Sequence, residues 1–97
     1  MSTGIELIAA ERQRQIEVEG FNAEHDRDAE NELAAAAACY ATPPPWRHKR
    51  PDDDPVPLGW PWDDRYWKPT PDDRVRELVK AGALIAAAID ALTGGSE

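Results

Sequence analysis

The spacing of apolar residues along the chain predicts three helices. In the first helix, the stripe of residues at intervals of three and four is Ile5, Ile8, Ala9, Arg12 and Ile16. This is the period of one helix face. Thr3 and Glu6 have the spacing of a capping box, and Gly20 stands where a left-handed cap would end the helix. We therefore predict a first helix over residues 3–19.

A second helix is predicted over residues 29–41, where alanine dominates. One face carries Leu33, Ala36, Ala37 and Tyr40, and the small side chains beside them permit close approach of another helix. We expect Asp28 to cap this helix at its start. Three consecutive prolines at 43–45 must end it, because proline lacks the backbone donor and clashes with the preceding turn.

The third helix has the strongest start signal. Thr70 supplies a capping oxygen, Pro71 suits the first helical position, and Asp72 and Asp73 favour the positive end of the helix dipole. A continuous apolar seam follows, consisting of Val75, Leu78, Gly82, Ile85, Ile89 and Leu92. We expect Gly82 to let a neighbouring helix approach closely, and Gly94 to end the helix.

The connection between the second and third helices is rich in proline and tryptophan. Its first part, 42–57, is charged and proline-rich, and is the part that we expect to be mobile. Its second part lies within residues 58–74, a stretch that continues into the third helix and contains Trp60, Trp62, Tyr66 and Trp67. These rings either close over a small core or, with nearby cations, line a pocket for a planar anionic ligand. Both readings stay open for different rings.

Length and pattern together predict one all-α domain over residues 1–97. Nine prolines are concentrated between the helices, and much of the 41% hydrophobic content is alanine. The core is therefore thin, and we expect self-association through an alanine face.

The net charge of −8 argues against binding to nucleic acids in general or to anionic membranes. The one basic cluster, at residues 46–50, is followed at once by three aspartates. Cys39 is the only cysteine, so an internal disulfide is excluded, and in an alanine-rich helix we expect a buried thiol. With no apolar run of membrane-spanning length and no signal-peptide pattern, we expect a cytoplasmic location.

Two polar features could have a function. Glu24, His25, Asp26 and Asp28 offer metal-ligand side chains, but without a recognised spacing, so we favour a loop of capping and salt-bridging residues and predict no metal. Arg12 lies on an apolar stripe, where it either forms a structural salt bridge or clamps a phosphate. We favour the salt bridge.

The residues also carry a resemblance to a family of small phage and prophage proteins without assigned chemistry. The matching segments are Glu11 to Phe21 (ERxRQIxxEG[WF]), Glu32 to Ala41 (ELAxAAxCYA), Trp60 to Asp63 (WPWD) and Leu78 to Ile85 (LVKAGALI). The resemblance spans nearly the whole chain and implies a phage protein acting in the host cytoplasm.

A second resemblance is to the RyR domain, the repeat of ryanodine receptors. Arg12 or Arg14 followed by Gly20–Phe21 is similar to its helix and Gly-Trp pair, and Lys68, Asp73–Arg74 and 79–81 are similar to its second motif. Phe21 and Asp72 replace a family tryptophan and tyrosine, and the His-Pro segment has no counterpart. The resemblance implies an RyR-like helical fold and a nucleotide-derived ligand.

From these observations we expect a non-enzymatic phage protein that captures a small anionic, nucleotide-derived ligand, as in sequestering a host defence signal. The predicted ligand-binding residues are Arg12, Phe21, Trp60, Trp62, Arg65, Tyr66, Trp67, Lys68 and Arg74. No catalytic residue and no cofactor is predicted.

Two alternatives stay open. One is an acidic protein-interaction module that inhibits a host protein, suggested by the aspartates at 52–54 and 63–64. The other is an all-α, magnesium-dependent nucleotide pyrophosphohydrolase, although Glu30 and Glu32 are two residues apart and lack the paired Glu-x-x-Glu spacing that such enzymes use.

Overall fold

A computed structural model describes residues 2–19, 29–51 and 54–93, and in these residues the fold is all-α, as predicted. The three helices are α1 (Gly4–Glu19), α2 (Glu30–Ala41) and α3 (Arg74–Thr93). The described residues between α2 and α3 include two short 3-10 turns, Pro44–Trp46 and Asp64–Tyr66, and an antiparallel bridge between Lys49 and Pro57. Both α1 and α2 pack against α3, which is therefore the central element. None of these three helices is long and apolar enough to cross a membrane.

The start of α1 is the predicted capping box. The Thr3 amide donates to Glu6 Oε1 over 2.7 Å, and the Glu6 amide donates to Thr3 Oγ1 over 3.2 Å. Each side chain satisfies a backbone donor that has no partner within the helix.

The face that α1 buries differs from the predicted stripe. Glu11, Arg12 and Gln15 are buried, whereas Ile5 is 81% exposed and Ile16 also reaches solvent. The cause lies on α3, where Arg76 and Asp90 offer charged partners to the polar side of α1. The predicted stripe therefore packs against α3 only at Ile8 and Arg12 and is wrong for Ile5 and Ile16, and ion pairs help to attach α1 to α3.

The face predicted for α2 is confirmed, because Leu33, Ala36, Ala37 and Tyr40 are all buried. The helix begins at Glu30, and the residue before it, Ala29, provides no side-chain cap. The predicted cap Asp28 lies outside the described residues, as do the acidic loop around it and Phe21. The alanine-rich surfaces of α2 and α3 form the middle of the core together with Val56 and Trp60.

The start of α3 also differs from the prediction. The helix begins at Arg74, and Asp73 Oδ1 accepts the Arg76 amide over 3.0 Å, so Asp73 is the capping residue. Residues 70–73 form a turn in which the Asp73 amide donates to the Thr70 carbonyl. Thr70 is not the cap: its hydroxyl donates to the Asp73 carbonyl over 3.3 Å, and its amide donates to Glu77 Oε2 over 3.1 Å.

The apolar seam of α3 faces away from the other helices. Val75, Leu78, Ile85, Ile89 and Leu92 are between 47% and 70% exposed. The opposite side of α3, which carries Glu77, Ala81, Leu84, Ala87 and Ala88, is buried instead. Gly82 of the seam is closely approached, as predicted: an added Cβ would lie 2.5 Å from Ile8 Cδ1.

Candidate functional site

Four aromatic rings form one packed cluster at the side of α2. Tyr40 and Trp67 have ring centroids 4.7 Å apart, and Trp60 meets Tyr40, Trp62 and Trp67 edge-on at 5.7, 5.5 and 5.0 Å. Edge-to-face geometry is the preferred arrangement of neighbouring rings. Trp60 is only 6% exposed, while Trp62 and Trp67 pack against the core and are half-buried. The cluster therefore covers the core as a lid, which is the first of the two interpretations that the sequence left open.

A fully buried carboxylate, Glu77, lies beside this cluster. Its Oε1 accepts from Arg47 and from Arg74, each over 3.1 Å, and its Oε2 accepts the Thr70 amide. Burial by itself would raise the pKa of Glu77, but the hydrogen bonds and charge of Arg47, together with the bonds from Arg74 and Thr70, outweigh it. The pKa of Glu77 is consequently below its ordinary value, and the group is charged at neutral pH.

The same two arginines bind the free carbonyls at the end of α2. Arg47 donates to the Cys39 carbonyl over 2.8 Å and to the Tyr40 carbonyl over 3.0 Å. Arg74 donates to the Tyr40 carbonyl over 2.8 Å and also to the Ala41 carbonyl. A helix C-terminus leaves carbonyls without internal partners and carries partial negative charge, so cations stabilise it.

The lysines near the cluster serve structural contacts as well. The Lys80 ammonium lies 5.4 Å from the Tyr40 ring centroid and donates to the Lys68 carbonyl over 2.8 Å. The Lys68 amide donates to Tyr40 Oη over 3.1 Å, while its side chain is exposed. The Arg47 guanidinium completes the arrangement, 5.2 Å from the Trp67 ring.

The eight predicted binding residues within the described chain fall in three places. Trp60, Trp62, Trp67, Lys68 and Arg74 belong to the cluster and its base. Arg65 and Tyr66 lie on an exposed 3-10 turn, where the guanidinium is 4.9 Å from the ring. Arg12 forms the favoured salt bridge, 3.1 Å from Asp90.

Arg12 lies apart from the base of the cluster. Its partner Asp90 is sixteen residues from Arg74, which is about 24 Å along a helix. Arg12 and Arg74 therefore do not belong to one small-molecule site. Sequence reasoning also missed Arg47 and Glu77. The sequence did contain a signal for each: Arg47 follows shortly after the end of a predicted helix, and Glu77 is a carboxylate on the flank of a mostly apolar helix.

A cleft of about 260 Å³ lies between α2 and the Pro-rich connection. Trp46, His48, Pro57 and Gly59 form one side, and the Leu58 amide holds that side together by donating to the His48 carbonyl over 2.8 Å. The other wall consists of the α2 residues Ala35, Ala38 and Cys39 and of Thr42, which directly follows the helix. The indole of Trp46 at this cleft is 73% exposed.

Cys39 contributes an apolar wall to this cleft and is not an activated nucleophile. Burial raises the pKa of the Cys39 thiol, and the charge of Arg47 opposes this only in part. The thiol is therefore protonated at neutral pH, as we expected of a buried cysteine.

A second cleft, of about 420 Å³, lies between α1 and the start of α3. At its floor Glu11 binds Arg14 and Arg76, each over 2.8 Å. Burial by itself would raise the pKa of Glu11, but the hydrogen bonds and charges of these arginines outweigh it and keep the pKa below its ordinary value. Leu7, Val75 and Val79 provide apolar walls.

None of the eight predicted ligand-binding residues in the described chain lines either cleft. In residues 2–19, 29–51 and 54–93, no group of three histidine, cysteine, aspartate or glutamate side chains could hold a metal ion.

The fold and these clefts define a small all-α protein, three helices with a tryptophan-rich lid over the core. No protein-family model, curated protein or solved structure matches the chain. The phage-family and RyR resemblances thus stay predictions from the sequence.

Proposed function

We propose that this protein is a non-enzymatic protein-interaction module, whose partner inserts an apolar side chain into the cleft beside Trp46. The observation that carries the proposal is the indole of Trp46, which stands largely in solvent at the rim of an apolar cleft. Tryptophan is prominent among the residues that dominate binding energy at protein interfaces. Trp46 is not among the described residues that form the buried core, and its backbone amide donates to the Pro43 carbonyl.

The size of the cleft favours a side chain over a nucleotide. Small-molecule pockets are typically about 300–1,000 Å³, and this cleft is about 260 Å³. A protein partner needs only to anchor one or two side chains there and can make its other contacts on the surrounding surface.

The buried charges support a binding role over a catalytic one. Glu11, Arg12 and Glu77 each form ion pairs with groups of the same chain. A catalytic acid or base needs a pKa tuned towards neutrality and access to substrate. Glu11 and Glu77 are instead buried, and their pKa values are below the ordinary value.

The test is selection of peptides from a random displayed library on the immobilised wild-type protein, followed by affinity measurement on Trp46→Ala. We expect the selected peptides to share an aliphatic or aromatic anchor and to bind Trp46→Ala at least about tenfold more weakly, because an exposed interface tryptophan is lost. The exposed Val18 of α1 provides a matched control, Val18→Ala, which should bind as the wild type does.

The stability of Trp46→Ala should change by less than about 0.5 kcal/mol, since the ring is mostly exposed. The proposal is overturned if no peptide is enriched, or if the enriched peptides bind Trp46→Ala and wild type equally well.

Capture of a small anionic, nucleotide-derived ligand is the second candidate function. The observation in its favour is the 420 Å³ cleft, where Arg14 and Arg76 meet on Glu11 and each keeps more than a third of its side chain exposed. Titration calorimetry with cyclic and ADP-ribose-type nucleotides tests it. Heat that disappears in Arg76→Ala supports capture, and no heat with wild type excludes it for these ligands. A phage origin, a host target and a role against host defence remain predictions of the sequence resemblance.

A further inference from the structure

The exposed seam of α3 has the sequence pattern of a coiled-coil contact. Its members, Val75, Leu78, Gly82, Ile85, Ile89 and Leu92, follow one another at intervals of three, four, three, four and three residues. This is the alternation of the a and d positions in a heptad repeat, which pairs one helix with another. Five of its six residues are about half exposed or more, and α1 covers the sixth, Gly82, through Ile8.

The charge distribution around the seam indicates which kind of partner helix can pack against it. Residues 81–89, in the middle of the seam, contain no charged side chain, although the whole chain carries a net charge of −8. Two copies of an acidic protein repel each other, and the repulsion is smallest where the surfaces that meet are neutral. A coiled coil that selects a different partner usually does so through charges beside the seam. Here the partly exposed position beside it is Ala86, and on the other flank Ala81 and Ala88 are buried in the core, so no charge lies beside the seam in this stretch.

The apolar surface is also large enough for self-association. The five exposed side chains of the seam expose roughly 500 Å² together, which is more than half of the approximately 800 Å² that each partner buries in a standard interface. Monomeric proteins rarely leave larger apolar patches in water. Ile8 lies over Gly82 and fills the one position where the seam lacks a side chain. The N-terminal half of α1 thereby extends the surface.

We infer that the protein forms a two-fold symmetric homodimer in which the α3 seam of one copy packs against the α3 seam of the other. In such an interface the same patch is used on both copies. The seam is distinct from the cleft beside Trp46, so this inference does not depend on the proposed function. The alanine surface that we expected to mediate self-association is used inside each copy, between α2 and α3.

Sedimentation of the full chain over about 5–300 µM tests the inference. We expect wild type to approach twice its mass of 10.7 kDa as the concentration rises. Ile85→Asp brings two carboxylates into an apolar interface and should weaken association by about 100-fold or more. The matched control is Leu58→Asp, which introduces the same charge at an exposed leucine of the connection and should associate as wild type does.

A second measurement does not require the aspartate variant to fold. Ile85→Cys should form a covalent dimer under mild oxidation much faster than Leu58→Cys, because two-fold pairing brings the seams of both copies together. The native Cys39 is buried and should not compete. The inference is overturned if wild type stays at 10.7 kDa throughout the range, or if Ile85→Cys cross-links no faster than Leu58→Cys.

Discussion

Glu77 connects three separate parts of the chain. It joins Arg47 of the Pro-rich connection, the Thr70 amide and Arg74 at the start of α3. Through those two arginines it also fixes the end of α2. A buried carboxylate is expensive to desolvate and is retained only when charged donors surround it. The position of the tryptophan-rich lid therefore depends on one ionised side chain.

Glu77→Ala should reduce the free energy of unfolding by about 3–5 kcal/mol, because it leaves Arg47 buried without its counter-charge. Urea denaturation measures the loss. Glu77→Gln keeps the size and the acceptor oxygen, so its loss should be smaller. A loss below about 1 kcal/mol in Glu77→Ala would show that Arg47 finds other partners and that the carboxylate does not organise the lid.

Single residues also show how far the sequence predicted the site. The tryptophans were correctly singled out by their concentration, and the burial of Trp60 agrees with the lid reading. We predicted no binding role for the exposed Trp46, because it lies outside that group, beside three prolines. Arg47 and Glu77 are 30 residues apart, and no local pattern relates residues at such a distance.

At the scale of elements, α1 is the helix held least by apolar contact. Its buried side chains are Glu11, Arg12 and Gln15, and no hydrogen-bond partner is found for Gln15 Oε1 within the described residues. Arg12 links it to Asp90 near the end of α3. A helix attached through a few polar contacts should open more readily than α2, which shares the alanine-rich core with α3.

Arg12→Ala should loosen α1 selectively. Hydrogen exchange should be faster at the α1 amides and unchanged in α2 and the middle of α3. The free energy of opening α1 should fall by about 1.5–3 kcal/mol, because hydrogen bonds between charged groups are lost. Arg65→Ala removes an exposed arginine 3.9 Å from Asp63 and is the control. Equal exchange in α1 for Arg12→Ala and wild type would contradict the attachment described here.

At the scale of the whole molecule, stability depends on keeping two buried carboxylates ionised. The pKa values of Glu11 and Glu77 both lie below the ordinary 4.5. Such groups stabilise the fold fully above their unfolded-state pKa, and the stabilisation is lost as pH falls through the lower folded-state value.

The free energy of unfolding, measured in urea between pH 3 and pH 7, should therefore fall as the pH drops below about 4.5. The double variant Glu11→Gln/Glu77→Gln should be less stable at pH 7 and lose less on acidification, since these two groups no longer titrate. Parallel stability curves for the two proteins would contradict this source of acid sensitivity.

The sequence by itself determined the three helices, the capping box at Thr3, the end of α2 before three prolines, and the buried face of α2. Each depends on residues within one or two helical turns of each other. Tertiary structure alone decided which side of α3 is covered. That helix has two apolar faces, and the periodicity singled out the Leu/Ile seam, whereas the structure covers the alanine-rich face. Burying the alanine side lets α2 approach closely and brings Glu77 to Arg47, so the Leu/Ile seam is left facing outwards.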